Sequence, residues 1–517
     1  MVTDRTHWST RMGLLLAMAG NAIGLGNYIR FPGQAAQNGG GAFMIPYVSA
    51  LVLVALPLMW CEYAMGRMGG ERGHGTTPGM LTLLWDHPLA KYIGTLGVFG
   101  PLVIAFYYVY VQSWTLAFSY FALTQQYAGI TTSEGMVTFL ADYQGTNTEL
   151  GVTFTAYVFF LLAMALNVYI ILRGVPRGIE IANKWGIPAM LLLSMILVVR
   201  VLTLGTPDPS QPANSVWNGL GFIWNPEFSQ LSNAKIWLAA AGQIFFSTSV
   251  GIGAIQCYAS YMKPKDDVVV AGLSTIMINQ WGEVIMGGTI AIPIAFAFFG
   301  AQATTDIAGA GAFNLAFTAM PVVLQRLPLS MLFGTCWFFL LFIAGTLAAL
   351  ALMQPAVSFL EDELRWTHNR SAVVASLVVF IAAHVPILGN KHGALGEIDF
   401  WAATFGLSAF ALLESIIVVW IFKAERMWVE IHRGADAAIP RIFLMILKYV
   451  TPLYLMILFL VWTAQDGTAV MTMKDVPAGD VPWRWLARMV LVATLGGCLY
   501  LVYLAWHQRG RDSKGGR

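Results

Sequence analysis

Twelve stretches of about 20 mostly apolar residues follow one another along the chain. They start near Met12, Gly41, Lys91, Phe154, Pro188, Ile236, Val268, Ser330, Ala372, Asp399, Arg441 and Leu486. About 20 apolar residues in helical conformation cross the hydrocarbon of a bilayer. The pattern therefore predicts an all-α polytopic membrane protein with twelve transmembrane helices, several of them long and tilted. No long polar linker divides the chain, so residues 1–517 read as one domain.

Lysine and arginine sort into one set of connections. The set comprises Arg5 and Arg11; Arg67 and Arg72; Arg173, Arg177 and Lys184; Lys263 and Lys265; Arg365 and Arg370; Lys423, Arg426 and Arg433; and the tail with Arg509, Arg511, Lys514 and Arg517. The opposing segments Gln125 to Val152 and Gly205 to Asn233 contain neither residue, and Arg326, Lys391 and Lys474 are the exceptions. Cytoplasmic loops are the basic ones. Both termini are thus expected in the cytoplasm of a multi-pass protein of the cell inner (plasma) membrane, which requires an even number of helices. Trp217, Trp224, Trp483 and Trp485 fall at the expected external boundaries, where indole rings favour the interface.

Composition agrees: 57% of the residues are hydrophobic and only 11% are charged, against about a quarter charged in soluble domains. The surface faces the lipid bilayer, and a net charge of +2 gives no case for nucleic acid. Cys61, Cys257, Cys336 and Cys498 sit singly in apolar runs and read as buried free thiols. Arg5, Arg11 and Ala17-Met18-Ala19 imitate a signal peptide, but the apolar run continues through Leu25, as a membrane helix does. No H-E-x-x-H, G-x-S-x-G or histidine cluster suggests an enzyme, and nothing resembles a channel's selectivity filter.

Two helices carry the same interruption. The first contains Ala22-Ile23-Gly24-Leu25-Gly26 and the sixth Ser249-Val250-Gly251-Ile252-Gly253, each small-x-Gly-x-Gly in mid-membrane. One reading is close helix packing through small residues. The other is unwound backbone lining a cavity, since matching breaks in two halves point to a transporter site between inverted repeats. The breaks lie five helices apart, an odd number, so the second half runs inverted, which favours the cavity. The repeats would be 1–204 and 234–424, with helices 11 and 12 at 441–506.

At these residues the chain resembles the neurotransmitter:sodium symporter family, most closely its bacterial leucine-transporter members. The resemblance runs nearly end to end. It includes Gly20-Asn21-Ala22, Gly24-Leu25-Gly26-Asn27, Arg30-Phe31-Pro32, Asn38 through Phe43, Tyr107-Tyr108, Gly242 through Phe246, Met353-Gln354-Pro355 and Phe359 through Glu363. It implies sodium-coupled symport of a small neutral amino acid by alternating access, with proton-coupled or sodium-independent transport as the alternative. A homodimer is left open. The substrate carboxylate would meet the Leu25 and Gly26 amides at a half-helix N-terminus, with a hydrogen bond from Tyr108. The amine would be held by the carbonyls of Ala22, Phe246 and Ser247 and by the Ser249 hydroxyl, beside Asn21. Gly24 stands where monoamine transporters carry aspartate. Ile104, Tyr108, Phe246, Ser249, Ile252, Ala348 and Leu352 would surround the side chain without a charge, which implies an aliphatic substrate.

The resemblance implies a first sodium site at the Ala22 carbonyl, Asn27, Ser247, Asn279 and the substrate carboxylate. A second site would keep backbone ligands at Gly20, Ile23 and Ala344, but its two hydroxyl side chains are replaced by Leu347 and Ala348. One functional sodium is therefore expected. Thr346 is one residue away, rotated about 100° around the helix. Lys184 would lie near the cytoplasmic end of helix 5, outside this cavity. Arg30 and Asp399 resemble an external gate pair, and Arg5 and Asp362 an internal one near Ser260 and Tyr261. Glu62 would accept hydrogen bonds from the broken sixth helix. Glu283 would replace a bound anion, so no chloride requirement is expected. Gly178 and Pro188 flank the part of helix 5 linked in the family to water entry.

Overall fold

The computed structural model describes residues 7–309, 313–474 and 476–515, and the elements among them are all helices. Ten helices are long and apolar enough to cross a membrane: α2 (Gly41–Glu71), α3 (Pro88–Leu123), α4 (Phe154–Leu172), α5 (Val175–Leu202), α7 (Val268–Gly309), α8 (Ser330–Asp362), α9 (His368–Leu388), α10 (Ala394–Ile421), α11 (Ile442–Gln465) and α12 (Val481–Arg509). The broken span α1, Arg11–Ala22 and Gly26–Gln37 bent by 46°, is the eleventh. A second broken span, α6, consists of Ala234–Thr248 and Ala254–Ala259 and brings the count to twelve.

The helices differ in what surrounds them. The most apolar window of α8 is 89% buried inside the protein, whereas those of α11 and α12 are 22% buried. The core is thus built on α8 and its long contact with α3, and the last two helices form the periphery. Several starts precede those of the hydropathy pattern, α5 and α10 among them. α5 begins at Val175, not near Pro188, because Arg177, Glu180 and Lys184 interrupt the apolar run without interrupting the helix. α10 begins at Ala394, ahead of Asp399, for the same reason at Glu397.

The two breaks have different local causes. α1 stops when Ile23 turns extended, at φ −88° and ψ 104°, and the Gly24 amide then donates to Asn27 Oδ1 at 2.9 Å. The chain resumes in a π-helical turn, Gly26–Arg30. In α6 the backbone itself leaves the right-handed region, with φ of 75° at Gly251 and 96° at Gly253. The freed Gly251 amide donates to Glu62 Oε1 of α2 at 2.6 Å. A Cβ on Gly253 would also run into the Gly97 carbonyl of α3. Gly253→Ala is therefore expected to cost more than the ~1–2 kcal/mol of a left-handed non-glycine residue. A thermal unfolding midpoint in detergent equal to that of the unmodified protein would refute this.

Candidate substrate and sodium site

The two breaks face each other across one small cavity. Asn21, Ala22, Gly24, Gly26 and Asn27 of α1 line it, together with Ile104 and Tyr108 of α3, Phe246, Ser247, Ser249 and Ile252 of α6, and Ala348 and Leu352 of α8. None of these side chains is charged. The cavity volume is about 30 Å³, room for a water or two. The Ser249 hydroxyl donates to the Asn21 carbonyl at 3.0 Å and so ties one break to the other. Tyr108 Oη accepts from the Leu25 amide at 3.0 Å. A carboxylate meeting that amide must therefore take the place of the tyrosine oxygen. Leu25 is buried but is not among the cavity-lining residues. Gly24 is needed for space: a Cβ there would lie 2.8 Å from Tyr108 Oη and 3.0 Å from the Ala348 methyl.

Next to the cavity, α7 brings two polar residues against α1. Asn27 Nδ2 donates to Asn279 Oδ1 at 2.7 Å, and Asn279 Nδ2 donates to Glu283 Oε2 at 3.1 Å and reaches Ser247 Oγ at 3.5 Å. Gln243 Nε2 of α6 donates to Glu283 Oε1 at 2.6 Å and to the Gly26 carbonyl at 3.3 Å. Asn27, Asn279 and Glu283 are fully buried. Glu283 lies in a π-helical turn, Trp281–Gly287, that follows Asn279, and π-helical turns often mark functional positions. The cluster is a set of hard oxygen donors, the kind that suits an alkali or alkaline-earth cation. Its asparagine oxygens now accept protein N–H groups, which a cation would replace.

The model of the sodium:neurotransmitter symporter family matches residues 5–138 and 137–506. The chain belongs to this family. It is a multi-pass membrane transporter, and the family is one of sodium symporters, not of enzymes. An uncharacterised sodium-dependent transporter of Methanocaldococcus jannaschii is 31% identical over 436 residues, which cover 84% of this chain and 85% of that protein. A sodium-dependent nutrient amino acid transporter 1 of Drosophila grimshawi is 24% identical over 502 residues, covering 89% and 76% of the two chains. The crystal structure of MhsT in complex with L-phenylalanine shares the fold, with a TM-score of 0.76 and 24% identity over 88% of this chain and 99% of that one.

Leu347 and Ala348 of α8, expected to stand in place of two hydroxyl side chains, are both buried. Leu347 reaches toward α5, where a Cβ on Gly186 would meet its methyls at 3.1 and 3.2 Å. Thr346 points elsewhere. Its hydroxyl accepts from Gln112 of α3 at 2.7 Å and donates to the Phe342 carbonyl at 2.8 Å. Gly20 of α1 lies against Asn183 Oδ1 of α5, close enough that a Cβ on Gly20 would collide with it. Sequence reasoning missed Asn183 and considered its neighbour Lys184, which is exposed. The available signal was a polar residue one position from Lys184, which turns its side chain inward.

Beyond Tyr108 a second cavity of about 240 Å³ holds both Arg30 and Asp399. The two do not pair directly. Arg30 stacks on Phe246, 4.4 Å from guanidinium carbon to ring centre, and Asp399 Oδ1 accepts from Tyr107 at 2.5 Å. At the opposite end Trp8 and Ser9, among the first described residues, are tied to the end of α6 and the start of α5. Trp8 donates its amide to the Tyr261 carbonyl at 3.3 Å and its indole N–H to the Tyr258 carbonyl at 3.1 Å, and the Ser9 amide donates to Glu180 at 3.0 Å. Arg5, expected in the internal gate, lies outside the described residues. Its expected partner Asp362 is the last residue of α8. Ser260 and Tyr261 directly follow α6, and Tyr261 Oη lies 2.8 Å from Ser358 Oγ.

Proposed function

We propose that this protein is a secondary active symporter that moves a small neutral aliphatic amino acid with one sodium ion by alternating access. The observation that carries the reading is one uncharged cavity lined by both unwound segments, Tyr108 and Asn27, with Asn279 behind it accepting from Asn27. In this reading the substrate carboxylate docks on the Leu25 and Gly26 amides with Tyr108 as donor. The amine meets the carbonyls of Ala22, Phe246 and Ser247 and the Ser249 hydroxyl. Ile104, Ile252, Ala348 and Leu352 take an aliphatic side chain, with no counter-charge for an acidic or basic one. The sodium-dependent amino acid transporter of Drosophila and the phenylalanine bound to MhsT support an amino acid as the substrate class.

Sodium would bind at the Ala22 carbonyl, Asn27, Asn279, Ser247 and the substrate carboxylate, so ion and substrate affinities are linked reciprocally. The remnant at Gly20, Ile23 and Ala344 lacks side-chain oxygens from α8, which favours one ion per substrate. Glu283 supplies the negative charge beside the ion, and no chloride is required. Arg30 and Asp399 close the external side, and Arg5 and Asp362 the internal one. Both termini are cytoplasmic in an inner (plasma) membrane, and residues 1–204 and 234–424 form the inverted repeats.

Counterflow of labelled amino acid in proteoliposomes tests the transport itself. Leu347→Thr combined with Ala348→Ser should restore two hydroxyl ligands and raise the Hill coefficient for sodium from about one toward two. A coefficient well above one in the unmodified protein ends the single-sodium reading. Uptake driven by a pH gradient without sodium would establish the proton-coupled alternative.

A further inference from the structure

At the end of the molecule away from the termini lies a third cavity, of about 460 Å³. It is enclosed by the end of α5, the following loop, α7 next to its kink at Gly300, and the turn before α8. Its walls carry two guanidinium groups, Arg200 and Arg326. Loops on this face are otherwise poor in lysine and arginine, and Arg326 was already an exception in the charge pattern. Among the described residues neither arginine has an ion-pair partner. Arg326 donates to the Thr131 carbonyl at 3.1 Å and lies 5.8 Å from the Phe298 ring centre, and Arg200 lies 5.9 Å from that of Phe333.

The one carboxylate among the lining residues, Asp208, is engaged within its own loop. Its Oδ1 accepts from the Ser210 hydroxyl at 2.7 Å and the Ser210 amide at 2.9 Å. Those two hydrogen bonds hold its carboxyl below the usual range. Gln211 and Asn214 lie on the same polar wall. Val199 and Leu329, next in sequence to the lining residues Arg200 and Pro328, and Leu332 in the first turn of α8 are exposed apolar residues.

We propose that this cavity binds the headgroup of an anionic phospholipid of the phosphatidylglycerol class. The planar guanidiniums of Arg200 and Arg326 clamp the phosphate, as forked donors do with phosphate oxygens. Basic pockets between transmembrane helices bind acidic lipid headgroups at cytoplasmic faces, and the same pairing of guanidinium with phosphate serves on this opposite face. The glycerol hydroxyls of the headgroup donate to Asp208 and Gln211, which an alkylammonium headgroup without hydroxyls cannot do. The acyl chains lie along Val199, Leu329 and Leu332. Exposed apolar residues directly beside Arg200 and Pro328 in a membrane protein favour a lipid over free phosphate as the source of the anion.

Native mass spectrometry of the purified protein, exchanged into mixed phosphatidylglycerol and phosphatidylcholine, tests the site. The unmodified protein should retain phosphatidylglycerol in clear excess. Each guanidinium is expected to contribute roughly fivefold, so Arg200→Gln with Arg326→Gln should lower that retention roughly 25-fold. Equal retention of the two lipids by the unmodified protein overturns the proposal whether or not the variant folds. Unchanged retention in a double variant that still shows substrate counterflow overturns it as well. A third arm adds inorganic phosphate alone. Displacement of phosphatidylglycerol only at concentrations far above that of the lipid supports the lipid. Tight phosphate binding that excludes the lipid overturns it in favour of a free-anion site.

Discussion

Asn279→Ala is expected to remove the sodium dependence of substrate binding. Asn279 is fully buried in α7 and accepts from Asn27 while donating to Glu283, so its carboxamide joins α1 to α7, two of the three helices on which the proposed ion rests. Alanine deletes one oxygen ligand and leaves the Asn27 amide only the residue 279 carbonyl, at 3.5 Å, as acceptor. A polar contact to a charged group contributes about 1.5–3 kcal/mol, so sodium affinity should fall roughly 10- to 100-fold. The second consequence is more diagnostic. If the substrate carboxylate is itself a sodium ligand, losing the ion must weaken the substrate by the same coupling factor. At sodium concentrations well below the raised midpoint, substrate affinity of the variant should then be the same with and without sodium, and equal to that of the unmodified protein in sodium-free buffer. Asn27→Ala should behave alike. A sodium titration of labelled amino acid binding reads both effects, and an unshifted sodium midpoint in either variant removes that residue from the site. Asn279→Asp keeps an oxygen and should retain a sodium response, which separates ligand loss from misfolding.

Much of this arrangement was legible in the sequence because it is local. The breaks are written in runs of five residues, and the structure gives glycine a different task in each. At Gly251 and Gly253 the backbone needs positive φ, whereas at Gly24 the side chain of another helix needs the room. A lone sequence shows the glycines but not which constraint applies, since the second depends on Tyr108 and Ala348 across the cavity. Apart from the bond between Glu62 and the sixth helix, which the resemblance implied, contacts between distant helices were the part that could not be read. Nothing along the chain shows that Gln112 takes the Thr346 hydroxyl, 234 positions away. Nor does it show that Arg30 rests on Phe246 while Asp399 is occupied by Tyr107. Asn183 illustrates the same limit at one-residue resolution. Its neighbour Lys184 draws attention as a charge, yet a helical step of 100° sends the lysine outward and the carboxamide toward Gly20.

Gly24→Asp is expected to abolish uptake of a zwitterionic amino acid. Gly24 lies between the two halves of α1, and its missing side chain is what lets Tyr108 Oη and the Ala348 methyl approach. Any Cβ at this position must push on both. Because Tyr108 Oη also holds the Leu25 amide at 3.0 Å, the disturbance reaches the donors proposed for the substrate carboxylate. Aspartate adds a negative charge at the same place, inside a cavity whose lining has no cation to offset it. Two carboxylates about 4 Å apart repel by roughly 4 kcal/mol at the effective dielectric of a partly hydrated site, enough for about a thousandfold loss of affinity. Steric and electrostatic effects separate through Gly24→Ala, which keeps the crowding and omits the charge and should lose only part of the uptake. The same geometry predicts a gain for Gly24→Asp. A primary amine without a carboxylate should compete better in the variant than in the unmodified protein, because the aspartate stands where the amino acid brings its own charge. Competition by such an amine against labelled amino acid in the unmodified protein, and direct binding of the amine to the variant, measure both directions. Uptake by Gly24→Asp within threefold of the unmodified rate would mean that the carboxylate docks elsewhere.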